Sequence, residues 1–278
     1  MPKPRTSRNF NLRKDPVDTR DYKFTSSPID VPVQLELPIT MDLTSDMSPV
    51  KDQGNLGSCV GFALSAMKEW QEQREHKEEV AAGKKDHRDE KYYDLSEQWV
   101  YYMSKEIDPW PNDEGTSIRY AMKVLNKIGV PVEKAWPYND AVRGEPKRWA
   151  NLVALWSLIG SYYRIETLNE IKQALNETGP VPIGVPCFEE IFYVGVDGIV
   201  HYPQQPQYMY GGHAICVCGY DDVSRLVKFK NSWSPYWGDH GYGYLPYTYI
   251  KDFLWDAWAC KDLSVTRNML KEARSLIG

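Results

Sequence analysis

Cys59 stands in KDQGNLGSCVGFALSAM, behind a loop punctuated by Gly54 and Gly57. It heads a run, Cys59, Phe62, Ala63, Ala66, Met67 and Trp70, spaced like one face of a helix. A cysteine attacks a carbonyl carbon only as the thiolate, and a helix N-terminus favours that anion. The Cys59 N–H and the side-chain amide of Gln53, reaching across the GNLG turn, would supply two donors to an oxyanion. Taken alone, Cys59 reads more simply as a buried helical thiol. A base is also needed. Of the five histidines, His76 and His87 fall in a charged stretch, and His240 in WGDHGYG reads as a loop residue. His213, in GGHAICVCGY, opens an apolar strand beside two glycines that leave room for a substrate backbone. Asn231, ending the run LVKFKN, carries an amide that can orient an imidazole without competing for its proton.

Positioning these groups requires a helix beginning near Ser58, whose charged continuation within residues 68–94 is expected to be solvated and to give way to a surface loop around Gly83. The pattern predicts a second helix over SEQWVYYMSK, a third over TSIRYAMKVLNKIG that ends at Gly129 before Pro131, and a fourth over LNEIKQALNETG. Beyond these the texture changes to short apolar runs broken by Gly and Pro: VPIGV, GIVHY, HAICVCGY, LVKFKNSW and YGYLPY. Those runs predict a twisted antiparallel sheet. The fold class is therefore α+β, helical first and β second.

The chain of 278 residues has room for a sizeable core, and 42% hydrophobic with 26% charged residues is the composition of a folded protein. A net charge of -5 gives no reason to expect nucleic acid. No signal-peptide h-region and no apolar stretch of about 18 residues is present, so no membrane association is expected and a cytoplasmic location, or membership of an assembly, is favoured. Five cysteines, an odd number with no CxxC pair, predict a reducing compartment and neither a metal nor another cofactor. Cys216 and Cys218 would share one buried strand face. Residues 1–36, with six Lys/Arg and two Asp among the first twenty, read as a basic extended arm that is not a core element.

VKDQGNLGSCVGFA, LSEQ, GGHAICVCGYDD and KNSWSPYWGDHGYGYL together resemble the signature blocks of papain-like cysteine peptidases, in that family's order. The resemblance covers residues 37–250. It implies a two-lobed fold: a helical lobe over 37–155 carrying the nucleophile, a β lobe over 156–278 carrying the histidine and asparagine and ending in a C-terminal helix, and a cleft between them. It assigns Cys59 as nucleophile, His213 as base and acid, Asn231 as orienting amide and Gln53 as oxyanion donor, with Trp233 shielding the His–Asn bond. Glu114 and Gly115 would pair with extended peptide or protein substrate. Gly184, Gly211 and Gly212 would leave a roomy subsite for a bulky apolar or aromatic residue, the second before the cut bond. The family's disulfide cysteines are missing here, and only the short arm stands in place of a long prosegment. The arm is expected to dock by charge in the cleft, as in a zymogen, until it is cut near Leu35–Pro38. Two other readings stay open: a scaffold that keeps the fold with little activity, and acyl transfer to an amine with the same machinery.

Overall fold

Helix α1 (Cys59–Ala81) is buried from Cys59 to Gln73, so its apolar stripe meets protein on nearly every side. The computed structural model describes residues 9–24, 36–83, 93–204 and 208–262. Two charges inside α1, Lys68 and Glu72, survive burial by pairing one turn apart at 2.8 Å. Against α1 pack α2 (Glu97–Ile107) and α3 (Ile118–Lys127), enclosing Leu64, Met67, Trp99, Val100, Met122 and Leu125. Ser96 caps α2 by accepting the Trp99 N–H. Helix α3 stops where the sequence predicts: Gly129 takes φ 74° and its N–H reaches back to Val124 O at 3.0 Å.

The second half adds a short helix α4 (Ala150–Ala154) and one antiparallel sheet. Its strands are β1 (Thr40–Asp42), β2 (Ile159–Arg164), β3 (Val181–Cys187), β4 (Gly211–Asp221), β5 (Leu226–Lys230), β6 (Tyr242–Pro246) and β7 (Asp256–Asp262). They run in the order β2-β7-β3-β4-β5-β6, with β1 alongside β4. Two further helices, α5 (Leu168–Glu177) and α6 (Tyr247–Phe253), flank the sheet. Strand alternation divides β4 between two cores: Ala214, Cys216 and Cys218 face the helices, while Ile215 and Val217 face α5 and α6. All five cysteines are free and buried, as packing residues would be.

Four expectations differ from what is found. The charged part of α1, expected to be solvated, is buried at Lys68, Glu69, Gln71, Glu72, Gln73 and His76, because neighbouring elements cover it on more sides than its apolar stripe alone requires. GIVHY is no strand: Ile199 makes one bridge to Tyr244, and the run otherwise crosses as a loop. Strands β2 and β7 and helices α4 and α6 have no counterpart among the predicted elements, because IGSYYR and DAWACKD mix polar residues into their alternation and ANLVA and YTYIKDF are too short to show a helical period. The arm, expected to lie outside the core, enters it: Leu12 joins the helical core, Phe24 joins the core under α5, and Asp15 is buried. The expected loop beyond Gly83, the C-terminal helix and most of the region around Leu35 lie outside the described residues. Among those described, no helix is long and apolar enough to cross a membrane.

Gly129 gives a direct test of the helix ending. A Cβ there would stand 1.9 Å from Ala154 O, on a backbone L-residues rarely adopt. Gly129→Ala should therefore destabilise by more than the roughly 1–2 kcal/mol that a left-handed residue alone costs, read as a lower urea midpoint at unchanged m-value.

Candidate active site

The first turn of α1 abuts the start of β4, and the contact is made by sulfur: the Ala214 N–H donates to Cys59 Sγ at 3.4 Å. That puts the thiol one residue along the strand from His213. Asn231, just past the end of β5, accepts from His213 Nε2 at 2.8 Å, and its Oδ1 also accepts the Ser232 N–H at 2.8 Å. Two donors fix that oxygen as an acceptor, so Nε2 carries the proton and Nδ1 is the basic position of the ring. Trp233 stacks on the imidazole at 4.5 Å and 23° and is itself 5% exposed, which keeps water from the His–Asn bond.

Gln53 is fully buried and tied down by hydrogen bonds. Its Oε1 accepts from Ser232 Oγ at 2.6 Å, its Nε2 donates to Leu56 O at 2.9 Å, and its backbone N–H donates to Ser232 O at 2.8 Å. Tyr138 donates to Gln53 O at 2.7 Å and bonds Ser58 Oγ at 2.6 Å, tying the loop to the helix start. Ser232 and Tyr138, which hold Gln53 and Ser58 by these bonds, are not among the residues that the sequence singles out for the site. Serine next to the expected orienting asparagine was the available signal.

The Cys59 thiol is not depressed as a first-turn cysteine is expected to be. Burial pushes it up to about 11, and the N–H donors of Ala214, Val60 and Cys59 itself offset only part of that. The arm lies across the same cleft. Asn9 and Asn11 each donate a side-chain amide to Glu114, at 2.9 and 2.8 Å. Asn11 lies against Gly57 and Gly115, and it bridges Gly212 in parallel. Leu12 N–H donates to Gly212 O at 3.1 Å and Arg13 N–H to Thr116 O at 2.9 Å, one bond to each side of the cleft. Leu12 presses on Gly184, Phe10 on Gly211 and Trp233. Every residue that the sequence suggests for substrate is thus touched by residues 9–13. At Gly115, with φ 77°, a Cβ would stand 1.7 Å from Asn11 O, so only glycine admits the arm.

Charge holds the arm in the opposite sense from the one expected. The basic-arm pairs, Arg13–Asp113 at 2.8 Å and Lys23–Glu166 at 3.0 Å, are half-exposed, and such pairs contribute about 0–1 kcal/mol. The buried contacts use the arm's acids. Asp15 accepts from Trp258 Nε1 at 2.8 Å and the Arg119 N–H at 3.1 Å, and its own N–H donates to Asp256. Asp21 pairs with Arg119, and Arg164 bonds Asp256 at 2.8 Å. Burial first, then the charge of Asp15, raises the Asp256 carboxyl to about 6 against the pull of Arg164.

Behind Asn231 and Ala214 lies a small enclosed cavity lined by Lys51, Glu69, Glu97 and Lys230. Lys51 pairs with Asp94 at 2.6 Å and Glu97 at 2.8 Å, Lys230 donates to Ser48 Oγ at 2.8 Å, and Ser48 bonds Glu69. Lys51, facing several carboxylates, stays charged. Glu97, fully buried and repelled by Glu69 and Glu133, rises to about 8 despite Lys51.

With that geometry in view, the papain family cysteine protease model matches residues 37–249. The chain belongs to the papain family. It is a cysteine peptidase by that membership, with the helical and antiparallel parts of a papain-like fold. An uncharacterized peptidase C1-like protein of Acanthamoeba polyphaga mimivirus is 28% identical over 273 residues, covering 88% of this chain and 84% of the relative. A cathepsin L-like peptidase of Aedes aegypti is 29% identical over 76% of this chain, which spans 59% of that relative's length. Among solved structures, xylellain, a cysteine protease from Xylella fastidiosa, superposes at TM-score 0.75 with 25% identity, covering 92% of this peptidase and 96% of that chain. Among the described residues of this peptidase no cluster of His, Cys, Asp and Glu could hold a metal ion.

Glu97 makes stability depend on pH. Its folded value near 8 stands above the 4.5 of an unperturbed glutamate. The folded protein therefore keeps a proton that the unfolded chain releases. The stabilisation is complete at acidic pH and is lost as pH rises through about 8. The urea midpoint should fall between pH 5 and 8, and Glu97→Gln should make that fall shallower.

Proposed function

We propose that the peptidase cuts peptide bonds in peptide or protein substrates through a thioester on Cys59, and that residues 9–24 hold it latent. The observation that carries the first part is the meeting of Cys59 Sγ with the Ala214 N–H beside a His213 whose Nε2 is fixed on Asn231. His213 Nδ1 takes the thiol proton as sulfur attacks the carbonyl carbon. The oxyanion is met by the Cys59 N–H and the Gln53 amide. When the C–N bond breaks, His213 delivers the proton to the leaving amine, and water then repeats the sequence on the thioester. Asn231 keeps the ring in the one tautomer that serves both transfers, and Ser232 sets Gln53 and Asn231 as a unit.

Latency follows from where the arm lies and which way it runs. Phe10 lies on the His213 side, where a leaving amine must emerge, and Leu12 and Arg13 lie at Gly184 and Thr116, where an acyl portion would pair. A substrate traverses the cleft in the other direction, so the arm fills the cleft without offering a bond in register. Arm release uncovers the cleft for substrate.

Cys59→Ala should abolish hydrolysis and labelling by a thiol-directed epoxide. Gln53→Ala should lose roughly 10²–10³ in kcat. Proteolysis retained by purified Cys59→Ala protein sinks the assignment.

Leu12→Asp, which puts a carboxylate against the apolar floor at Gly184, should raise activity of the full-length protein on a small peptide. Activity no higher than wild type removes the arm from the account. Docking is also tied to Asp256: its raised value belongs to the docked state, so docking is favoured at acidic pH and weakens as pH rises through about 6. Hydrogen exchange at the Leu12 amide should quicken between pH 5 and 7.5 beyond the intrinsic increase, and Asp256→Asn should remove the excess.

A further inference from the structure

Helix α4 reverses the usual amphipathic pattern, in which large apolar residues face the core. A short 3-10 turn, Leu155–Ser157, continues it, and across the two the small residues Ala150, Ala154 and Ser157 are the buried ones. The backbone at Ala154 and Ser157 lies close against Gly129 at the end of α3. The large apolar residues point outward: Trp149 is 36% exposed, Leu152 69%, Leu155 39% and Trp156 43%. Steps of three and four residues set all four on one helical face. A single exposed leucine is ordinary, but four large apolar side chains together, rimmed by polar groups, mark a contact surface.

The rim is basic. Lys147 and Arg148 lead into the face, with the Lys147 ammonium 5.5 Å from the centre of the Trp149 ring. Lys127 ends α3 two residues before Gly129, and Lys134 adjoins Ala135, whose carbonyl accepts the Lys147 N–H at 2.8 Å. All four cations are exposed, and none pairs with an acid among the described residues. From Pro146 to Ile165 the chain has no Asp or Glu, although its net charge is -5. A second copy docked on the same face would set these cations against one another, with no acid in the face to answer them. An anionic lipid surface answers both parts of the pattern. Leucines enter the acyl boundary, indoles settle at the headgroup level, and ammonium and guanidinium groups meet lipid phosphates and carboxylates. We propose that Trp149, Leu152, Leu155 and Trp156, within their basic rim, seat the peptidase on an anionic membrane surface. No spanning helix is needed, because such an element lies in the interface and does not cross it. The face stands at the C-terminal end of α3, whereas the arm is held at the other end, where the Arg119 N–H meets Asp15. Those ends are about 15 Å apart at 1.5 Å per residue, so the seat and the cleft are separate.

The test is cosedimentation of the full-length protein with vesicles of phosphatidylcholine alone, or of phosphatidylcholine and phosphatidylserine in equal parts. The protein should pellet with the mixed vesicles and remain in solution with phosphatidylcholine. Raising NaCl from about 0.1 M to 1 M, which shortens the screening length from about 10 to 3 Å, should weaken that binding. Lys147→Gln with Arg148→Gln should lower the partition coefficient about 30-fold, two charges at about 5-fold each. Leu152→Asp should lower it by about 10-fold or more. These three positions are exposed, so the urea midpoint of each variant should match wild type. The basic arm offers charge to the same vesicles but no leucine on this face. Binding that Leu152→Asp leaves unmoved therefore belongs to the arm and overturns the proposal. Failure to bind the mixed vesicles overturns it too, and equal binding to phosphatidylcholine alone removes the anionic surface from it. A dimer in sedimentation equilibrium that Leu152→Asp returns to monomer, without vesicle binding, gives the face to a second copy instead. Vesicle binding is read without substrate, so the seat and the peptidase reading can each fail without the other.

Discussion

The molecule is organised around the contact between the first turn of α1 and the first residues of β4. A helix cannot be driven end-on into a strand unless its unpaired N–H groups and its first side chains find partners. Here Cys59 supplies a small, polarizable group that fits beneath Ala214. Everything behind that contact keeps it in place. Gly61 lets α1 come close to the Glu97 carbonyl of α2, and Ser58 is tied through Tyr138 to Gln53. Ser232 carries the constraint on to Asn231 and so to His213. The groups come from four distant parts of the chain, yet each is reached from the next by one short hydrogen bond.

Buried charge behind the site is organised by the same contact. Lys51, Glu69, Glu97 and Lys230 line one cavity against Asn231 and Ala214. An apolar filling would be at least as stable by general experience with buried ion pairs. What the polar filling supplies is orientation: Ser48 and Leu95 are bonded to Glu69, and Lys51 spans Asp94 and Glu97, so the loop before Cys59 and the start of α2 are locked in register.

How much of this was legible beforehand depended on how local each signal is. Cys59 and His213 announced themselves by neighbours in sequence, glycines on one side and apolar periodicity on the other, and α1, α2, α3 and α5 follow their patterns closely. The shared face of Cys216 and Cys218 followed from strand alternation alone. Strand β7 was not legible because its partners are β2 and β3, remote in sequence, and its burial is decided by packing they provide. The arm's docking was foreseen but its cause was misjudged. Net charge suggested lysines and arginines gripping an acidic body, whereas burial favours Asp15 and Asp21, whose short side chains reach Arg119, Arg164 and Trp258. A sum over charges carries no information about which of them are dry. The raised Cys59 thiol was likewise invisible, since it is set by burial in a core that only the folded packing creates.

Leu12 and Phe24 are members of the two hydrophobic cores, 4% and 6% exposed. Burying a side chain of this kind contributes about 1.5–3 kcal/mol, against a total stability for a domain of roughly 5–15 kcal/mol. The arm is thus a structural member of both halves at once: removing it would strip apolar surface from each core and lower the stability of the whole fold.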